Sequence, residues 1–206
     1  MTRLSRRAAV AGLSFGALGG AAAAQTPTGD ALDDFGRYLD AAAGLLAEFT
    51  LGLRSANARE LRRNAETRAA LVSLSDALLA FHSSNALLVD DLDDYVRRVS
   101  EGGDPPTLWR DVLDQVGRTT GVMQQVLVVV DQTPQLDVAL TPEARTQLED
   151  AVAEKGSLLD RLGWMREPHT AEDLARVQAV SARYRGVMER LRETRIVINR
   201  ILRRRS

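Results

Sequence analysis

Hydrophobic side chains recur at alternating spacings of three and four residues along most of the chain. This spacing places them on one face of an α-helix. Four regular seams with polar flanks run through residues 32–53, 71–99, 109–130 and 177–201, and a less regular seam runs through residues 148–162. The pattern predicts helices at 31–54, 58–100, 107–131, 142–166 and 171–204.

Residues that start or break helices agree with this prediction. Thr141-Pro142-Glu143 and Thr170-Ala171-Glu172-Asp173 have the composition of helix N-termini, and no proline falls in the interior of a predicted helix. The β-branched run from Val126 to Val130 could form a strand, but it continues the third seam in phase. We therefore expect an all-α protein.

Short connections make consecutive helices antiparallel neighbours. We expect an elongated antiparallel helical bundle of about five helices, in which the first and third lie end to end along the longer second helix. This arrangement gives a four-helix section and a three-helix section with coiled-coil-like packing. An alternative is that Ser83-Ser84 divides the second helix and makes the molecule more compact.

The first 24 residues have the form of an export signal. Arg3, Arg6 and Arg7 precede the apolar stretch 9–24, which ends in Ala22-Ala23-Ala24. This stretch is shorter than the ~20 residues that a membrane-spanning helix needs, so we expect the signal to be removed and the mature chain to lack a transmembrane helix. The expected organisation is a signal at 1–24, a linker at 25–30 and one helical domain at 31–206.

Ser5-Arg6-Arg7-Ala8-Ala9-Val10 resembles the twin-arginine export signature Ser-Arg-Arg-x-Phe-Leu, with Ala9 and Val10 at its phenylalanine and leucine positions. The resemblance implies that the chain crosses the membrane already folded and works in a bacterial periplasm or outside the cell. General secretion is the alternative route. Cleavage after Ala24 would suit either one, since small residues such as Ala22 and Ala24 precede cleavage sites.

Composition excludes many kinds of chemistry. The chain has 206 residues, 45% hydrophobic and 27% charged, with no cysteine and two histidines. Without cysteine there are no disulfides, thiol nucleophiles, iron–sulfur ligands or covalent c-type haem. Two histidines cannot form a three-histidine metal site, and no Glu-x-x-His pair is present. We find no nucleophile–base pair either, and predict a non-enzymatic protein without metal or cofactor.

Charge is sorted along the chain. After removal of residues 1–24 the net charge is −4, but residues 176–206 carry ten arginines and two glutamates. Residues 25–175 therefore sum to −12. A folded chain that keeps this separation would be an electric dipole.

The predicted topology brings two arginine groups together at one end of the bundle. They are Arg54, Arg59, Arg62 and Arg63 from the first hairpin, and Arg200, Arg203, Arg204 and Arg205 from the C-terminus. Arginines near a helix C-terminus can simply complement the helix dipole. The functional alternative is an anionic partner, either an acidic protein or an envelope surface. We expect no nucleic acid partner, because no aromatic residues interleave the arginines.

A polar layer interrupts the second seam. His82 and Asn85 are expected at the same height as Thr119 and Gln124 on the next helix. Such a layer can fix the register of packed helices, because a buried asparagine disfavours slipped pairings. The functional alternative is a small-molecule or metal site of a periplasmic sensor. Self-association is also possible if Ile196, Ile198 and Ile201 are exposed.

Overall fold

The computed structural model describes residues 28–119, residues 124, 126, 128 and 130, and residues 140–203. The described residues contain no strand and include six helices that pack against each other: α1 (Thr28–Ser55), α2 (Ala58–Arg63), α3 (Ala65–Ser100), α4 (Pro105–Thr119), α5 (Pro142–Trp164) and α6 (Ala171–Arg203). Val126 and Val130 are also helical and buried. The prediction of an all-α helical bundle is confirmed.

The two predicted helix starts are formed by threonine caps. The Thr141 hydroxyl accepts a hydrogen bond from the Ala144 amide at 3.1 Å, with Pro142 in the first turn of α5. At the start of α6, the Thr170 hydroxyl accepts from the Asp173 amide, and the Asp173 carboxylate accepts from the Thr170 amide. These side chains satisfy amide groups that the helix itself leaves without acceptors.

The helix predicted at 58–100 is divided at Asn64. This residue has an extended backbone, and its side-chain oxygen accepts hydrogen bonds from the amides of Glu66 and Thr67 at 2.9 and 3.1 Å. Asparagine is among the best N-cap residues, so α2 ends and α3 begins here. The alternative break at Ser83-Ser84 is wrong, because α3 continues through both serines.

The last helix is the centre of the bundle. α6 packs extensively against α1 on one side and α3 on the other, while α5 packs on α1 and α4 on α3. α1 and α6 run parallel, as three contacts in the same order along both helices show: Asp33 with Arg176, Asp40 with Arg183, and Thr50 with Thr194. α3 runs antiparallel to α6, because Ser75 contacts Asn199 and Asp93 contacts Ser181.

This topology corrects the expected end-to-end arrangement of the first and third helices. Asp33 near the start of α1 and Asp93 in the C-terminal half of α3 contact neighbouring turns of α6, so these parts of α1 and α3 lie at the same height. End-to-end stacking would have placed α4, and not α1, at this height. The close backbone packing of α1 is with α6 and α5. The physical reason is that α1, with 28 residues, extends for about 42 Å and accompanies most of α6.

The predicted seams form most of the core, although Phe81 and Val99 of the second seam and Val152 and Leu159 of the less regular seam are half-buried. Every seam residue of α1 and α6 is buried, including Phe35 and Tyr184, whose rings meet edge to face with centroids 5.6 Å apart. α3 is the one described helix long and apolar enough to cross a bilayer, with a mean hydropathy of 1.2 over 18 residues of which 33% are buried. Helices of soluble bundles meet the same criterion, so this property is weak evidence for a membrane span.

Candidate functional site

Two segments far apart in sequence meet at one end of the bundle. α1 ends next to Arg54, the chain turns at Asn57, and the six residues of α2 pack on the end of α6. The Leu61 side chain is 2% exposed there, and the Arg62 guanidinium donates a hydrogen bond to the Ile201 carbonyl at 3.1 Å. This contact also satisfies a carbonyl in the last turn of α6.

We call this end the arginine pole and define it by six described arginines: Arg54, Arg59, Arg62, Arg63, Arg200 and Arg203. Arg54 and Arg200 line one groove of about 200 Å³ with Leu53, Ala56, Ala58, Val197 and Ile201. Arg62 is half-buried, and the other five are exposed. Arg204 and Arg205, which the sequence assigned to the same surface, lie outside the described residues.

A second groove extends the basic surface along the start of α3. It has a volume of about 630 Å³, and Arg62, Arg63 and Arg68 line it together with Asp76. Arg68 was not among the predicted site residues. It could have been found from its position, because Arg68 follows Arg62 and Arg63 by six and five residues in a chain that stays helical on both sides of Asn64.

The arginines of the pole differ from most others in their pairing. None of the six forms an ion pair with another described residue, although Glu60 and Glu66 are close in sequence. Ten arginines elsewhere do form ion pairs: Arg37, Arg97, Arg98, Arg145, Arg161, Arg176, Arg183, Arg185, Arg190 and Arg192. The pole therefore presents cations that the fold brings together and leaves without an ion pair among the described residues.

Negative charge gathers at the opposite end, which we call the acidic end and define as the C-terminal half of α3, the α5–α6 connection and the first turn of α6. The Tyr95 hydroxyl donates to the Pro168 carbonyl at 2.5 Å and joins the two segments. Burial, and then the charges of Glu167 and Asp173, raise the pKa of Tyr95. Burial followed by the charges of Asp90, Asp111 and Asp94 raises the pKa of Asp91.

The polar layer predicted between the second and third helices is assembled differently. His82 is half-buried and lines a groove between α3 and α6, and Gln124 is exposed, so these two do not form a common layer. The side chain of Thr119 lies outside the described residues. Gln115, which was not predicted, donates to the Ser84 carbonyl at 3.1 Å. The reason is rotation along α3: His82 and Ser84 are two positions apart and so face different sides of the helix.

Asn85 is buried in the seam as predicted, with 1% exposure. Neither its amide nitrogen nor its amide oxygen has a hydrogen-bond partner among the described residues. An unpaired buried amide costs stability, so its presence in the seam is consistent with a role in fixing the helix register.

Among the residues that the structure describes, no group of three or more histidine, aspartate or glutamate side chains could hold a metal ion. The export-signal residues Arg6, Arg7, Ala22 and Ala24 precede the described part of the chain. No family model matches this chain, and no curated protein or solved structure is significantly similar to it. The geometry and charge of the described residues are therefore the basis for a functional proposal.

Proposed function

We propose that the protein is an exported, non-enzymatic helical bundle that binds an anionic partner, an envelope surface or an acidic protein, through the arginine pole. One observation carries this proposal: six arginines from two distant segments converge without a single ion pair among the described residues. Bringing like charges together costs electrostatic free energy. A partner that supplies carboxylates or phosphates recovers this free energy.

The chemistry of arginine suits such a partner. Its planar guanidinium offers parallel N–H donors that match the two oxygens of a carboxylate or phosphate. Grooves between the arginines give those oxygens room, since Arg54 and Arg200 lie across a groove of about 200 Å³. Acidic residues such as Asp90, Asp91 and Asp94 gather at the far end, and this separation of charge would orient the pole toward an anionic surface during approach.

The test compares two triple variants of equal net charge. One replaces three exposed arginines of the pole, Arg59→Gln, Arg63→Gln and Arg203→Gln. The control replaces three exposed arginines that form ion pairs elsewhere, Arg37→Gln, Arg98→Gln and Arg190→Gln. Binding is measured by co-sedimentation with phosphatidylglycerol vesicles, and by retention on an immobilised acidic polypeptide, at low and high salt.

At about 1 kcal/mol for each arginine near an anionic surface, the pole variant should bind about 100-fold more weakly at low salt. The control should bind nearly as well as the original chain, and high salt should weaken all binding by screening. Equal losses in both variants would show that only net charge matters and would contradict a specific role of the pole.

Export is a separate part of the proposal and rests on residues 1–24. The full chain expressed in a bacterium with both export systems should appear outside the cytoplasm with an intact mass that lacks these residues. Arg6→Lys with Arg7→Lys should retain it inside if the twin-arginine route is used. Unchanged export of this variant would indicate general secretion, and retention of the full-length original chain in the cytoplasm would contradict export.

A further inference from the structure

A groove between α3 and α6 lies beside the arginine pole but on a different face of α6. It has a volume of about 420 Å³ and is lined by Leu78, Leu79, His82, Leu191, Arg192, Arg195, Ile196 and Asn199. None of these residues lines the groove of the pole between Arg54 and Arg200. The two sites are therefore separate.

The walls of this groove are apolar and incompletely covered. Leu78 and Leu191 are almost fully buried and form its floor, whereas Leu79 on α3 and Ile196 on α6 are 44% and 41% exposed. Large apolar side chains on both sides of a groove are suited to hold an apolar ligand between them. Ile198 and Ile201 are buried, so Ile196 is the one of the three C-terminal isoleucines available for this contact.

One cation in the groove lacks compensation. The Nε atom of Arg195 is buried and has no hydrogen-bond partner in the described part of the chain. Its neighbour Arg192 pairs with Glu189 at 3.8 Å, and no carboxylate lines the groove. Asn199 lies on the same side and accepts a hydrogen bond from Ser75 through its side-chain oxygen, so its amide nitrogen remains a donor.

We propose that this groove binds a single-chain anionic amphiphile, with its carboxylate on Arg195 and its alkyl chain between Leu79 and Ile196. The charge of the groove selects the anion, because Arg195 forms no ion pair with another described residue and the terminal nitrogens of its guanidinium can donate to a carboxylate. The groove volume of about 420 Å³ lies in the range of small-molecule sites, and decanoate is a suitable probe of medium chain length. The site goes beyond the proposed function of the pole.

The test is isothermal titration calorimetry of the full chain with decanoate below its micelle concentration. Two related molecules separate the contributions of the ligand: acetate has the carboxylate without the chain, and decyltrimethylammonium has the chain with the opposite charge. We expect saturable binding of one decanoate per chain and at least tenfold weaker binding of the other two. Equal binding of decyltrimethylammonium would overturn the proposal, because it would indicate non-specific detergent adsorption.

Variants locate the site. Leu79→Ser and Arg195→Gln should each weaken decanoate binding at least tenfold, while Leu87→Ser should have no effect. Leu87 is the matched control, because it is a 59% exposed leucine of the same helix that does not line the groove. Circular dichroism checks that each variant is folded, and the exposure of Leu79 and the partial exposure of Arg195 make this the expected result.

The same variants distinguish this site from the pole. The triple pole variant should bind decanoate like the original chain, whether or not the pole itself binds anionic vesicles. Another outcome is that Leu79→Ser reduces adsorption to vesicles while neither the original protein nor any variant binds decanoate. In that case the groove is a membrane contact, and the proposed ligand site is wrong. Equal losses in Leu79→Ser and Leu87→Ser would also contradict the proposal.

Discussion

The two ends of the bundle carry opposite charges and use them differently. At the acidic end, Asp93 accepts a hydrogen bond from Ser181 and pairs with Arg185, while Asp94 pairs with Arg97 and Arg98. At the arginine pole, none of the described arginines has an acidic partner within ion-pair distance. The distribution of charge along the sequence is therefore insufficient to identify a binding surface. The ion pairs in the fold distinguish charged side chains that are already paired from those that can bind a partner.

The ends also differ in how firmly they are held. At the acidic end, buried Tyr95 donates to Pro168 and its ring meets Trp109 edge to face with centroids 5.1 Å apart. In addition, the Thr28 hydroxyl donates to the Arg166 carbonyl at 2.9 Å. At the pole, α2 has a single buried residue, Leu61. We therefore expect the acidic end to contribute more to stability and the pole to tolerate more change.

The largest effect should come from Tyr95→Ala at the acidic end. Removal of a buried aromatic ring and its cavity typically costs about 3 to 5 kcal/mol. Tyr95→Phe keeps the ring and removes the hydrogen bond to Pro168, so it should cost about 1 kcal/mol. Urea unfolding followed by circular dichroism measures both. Similar small losses in the two variants would show that the ring contributes little and that the acidic end is no better packed than the pole.

A smaller effect should follow Leu61→Ala at the pole. Leu61 is 2% exposed, but α2 is short and lies at the edge, so we expect about 2 kcal/mol, the lower limit for such substitutions. The variant should also bind anionic vesicles less well, because α2 carries Arg59, Arg62 and Arg63. A loss of stability equal to that of Tyr95→Ala would contradict the difference between the ends.

Much of this fold follows from local sequence. The seams predict which side chains of α1, α3 and α6 are buried, since helical spacing determines which residues share a face. The threonine caps at Thr141 and Thr170 could also be predicted, because the residue types at a helix start indicate the cap. The break at Asn64 was missed because its flanking residues favour helix on both sides, although asparagine is itself a favoured N-cap residue.

The order of helices around the bundle was less accessible. Antiparallel alternation of the five predicted helices makes the first and last parallel and brings the end of the last beside the first, as observed for α1 and α6, but it does not predict that they pack along most of their lengths. The Thr50–Thr194 hydrogen bond at 2.7 Å depends on this pairing. The convergence of Arg62 with the end of α6 could be anticipated from topology, whereas the groove at Arg195 required knowledge of which face of α6 meets α3.

We expect Asp173 at the acidic end to make a pH-dependent contribution of about 0.5 to 1 kcal/mol to the free energy of unfolding, after allowance for solvent screening. Burial alone would raise the pKa of Asp173, but hydrogen bonds from Thr170 and His169 outweigh it and lower the pKa below its ordinary value. A lowered folded-state pKa gives stability that is present above the unfolded pKa and lost as pH falls through the folded pKa.

Asp173→Asn should therefore destabilise the protein at pH 7 and have a progressively smaller effect below about pH 4. Glu172→Gln is the control, because Glu172 is the adjacent, exposed acid and does not form the cap. Urea unfolding across this pH range measures both variants. A loss that persists unchanged at pH 3 would show that the carboxylate charge is not what stabilises the cap.

The smallest expected effect is a difference in sign between two stability changes. Asp91→Asn and Asp76→Asn make the same substitution in the two halves of α3. The raised pKa of Asp91, caused first by burial and then by Asp90, Asp111 and Asp94, means that ionisation is less favourable in the folded state. Its stability contribution is present below the unfolded pKa and lost as pH rises through the folded pKa. Asp91→Asn should therefore stabilise the protein at pH 7 by a few tenths of a kcal/mol, as for like charges on a helix surface, and have no effect near pH 3.

Asp76→Asn should act in the opposite direction, because Asp76 shares a groove with Arg62, Arg63 and Arg68 and its removal leaves these cations with less negative charge nearby. Thermal unfolding at low ionic strength is the suitable measurement, since salt screens both effects. Both substitutions remove one negative charge from the same helix and conserve side-chain shape. A change of the same sign in both would mean that net charge governs stability, and the electrostatic distinction between the two ends would then be wrong.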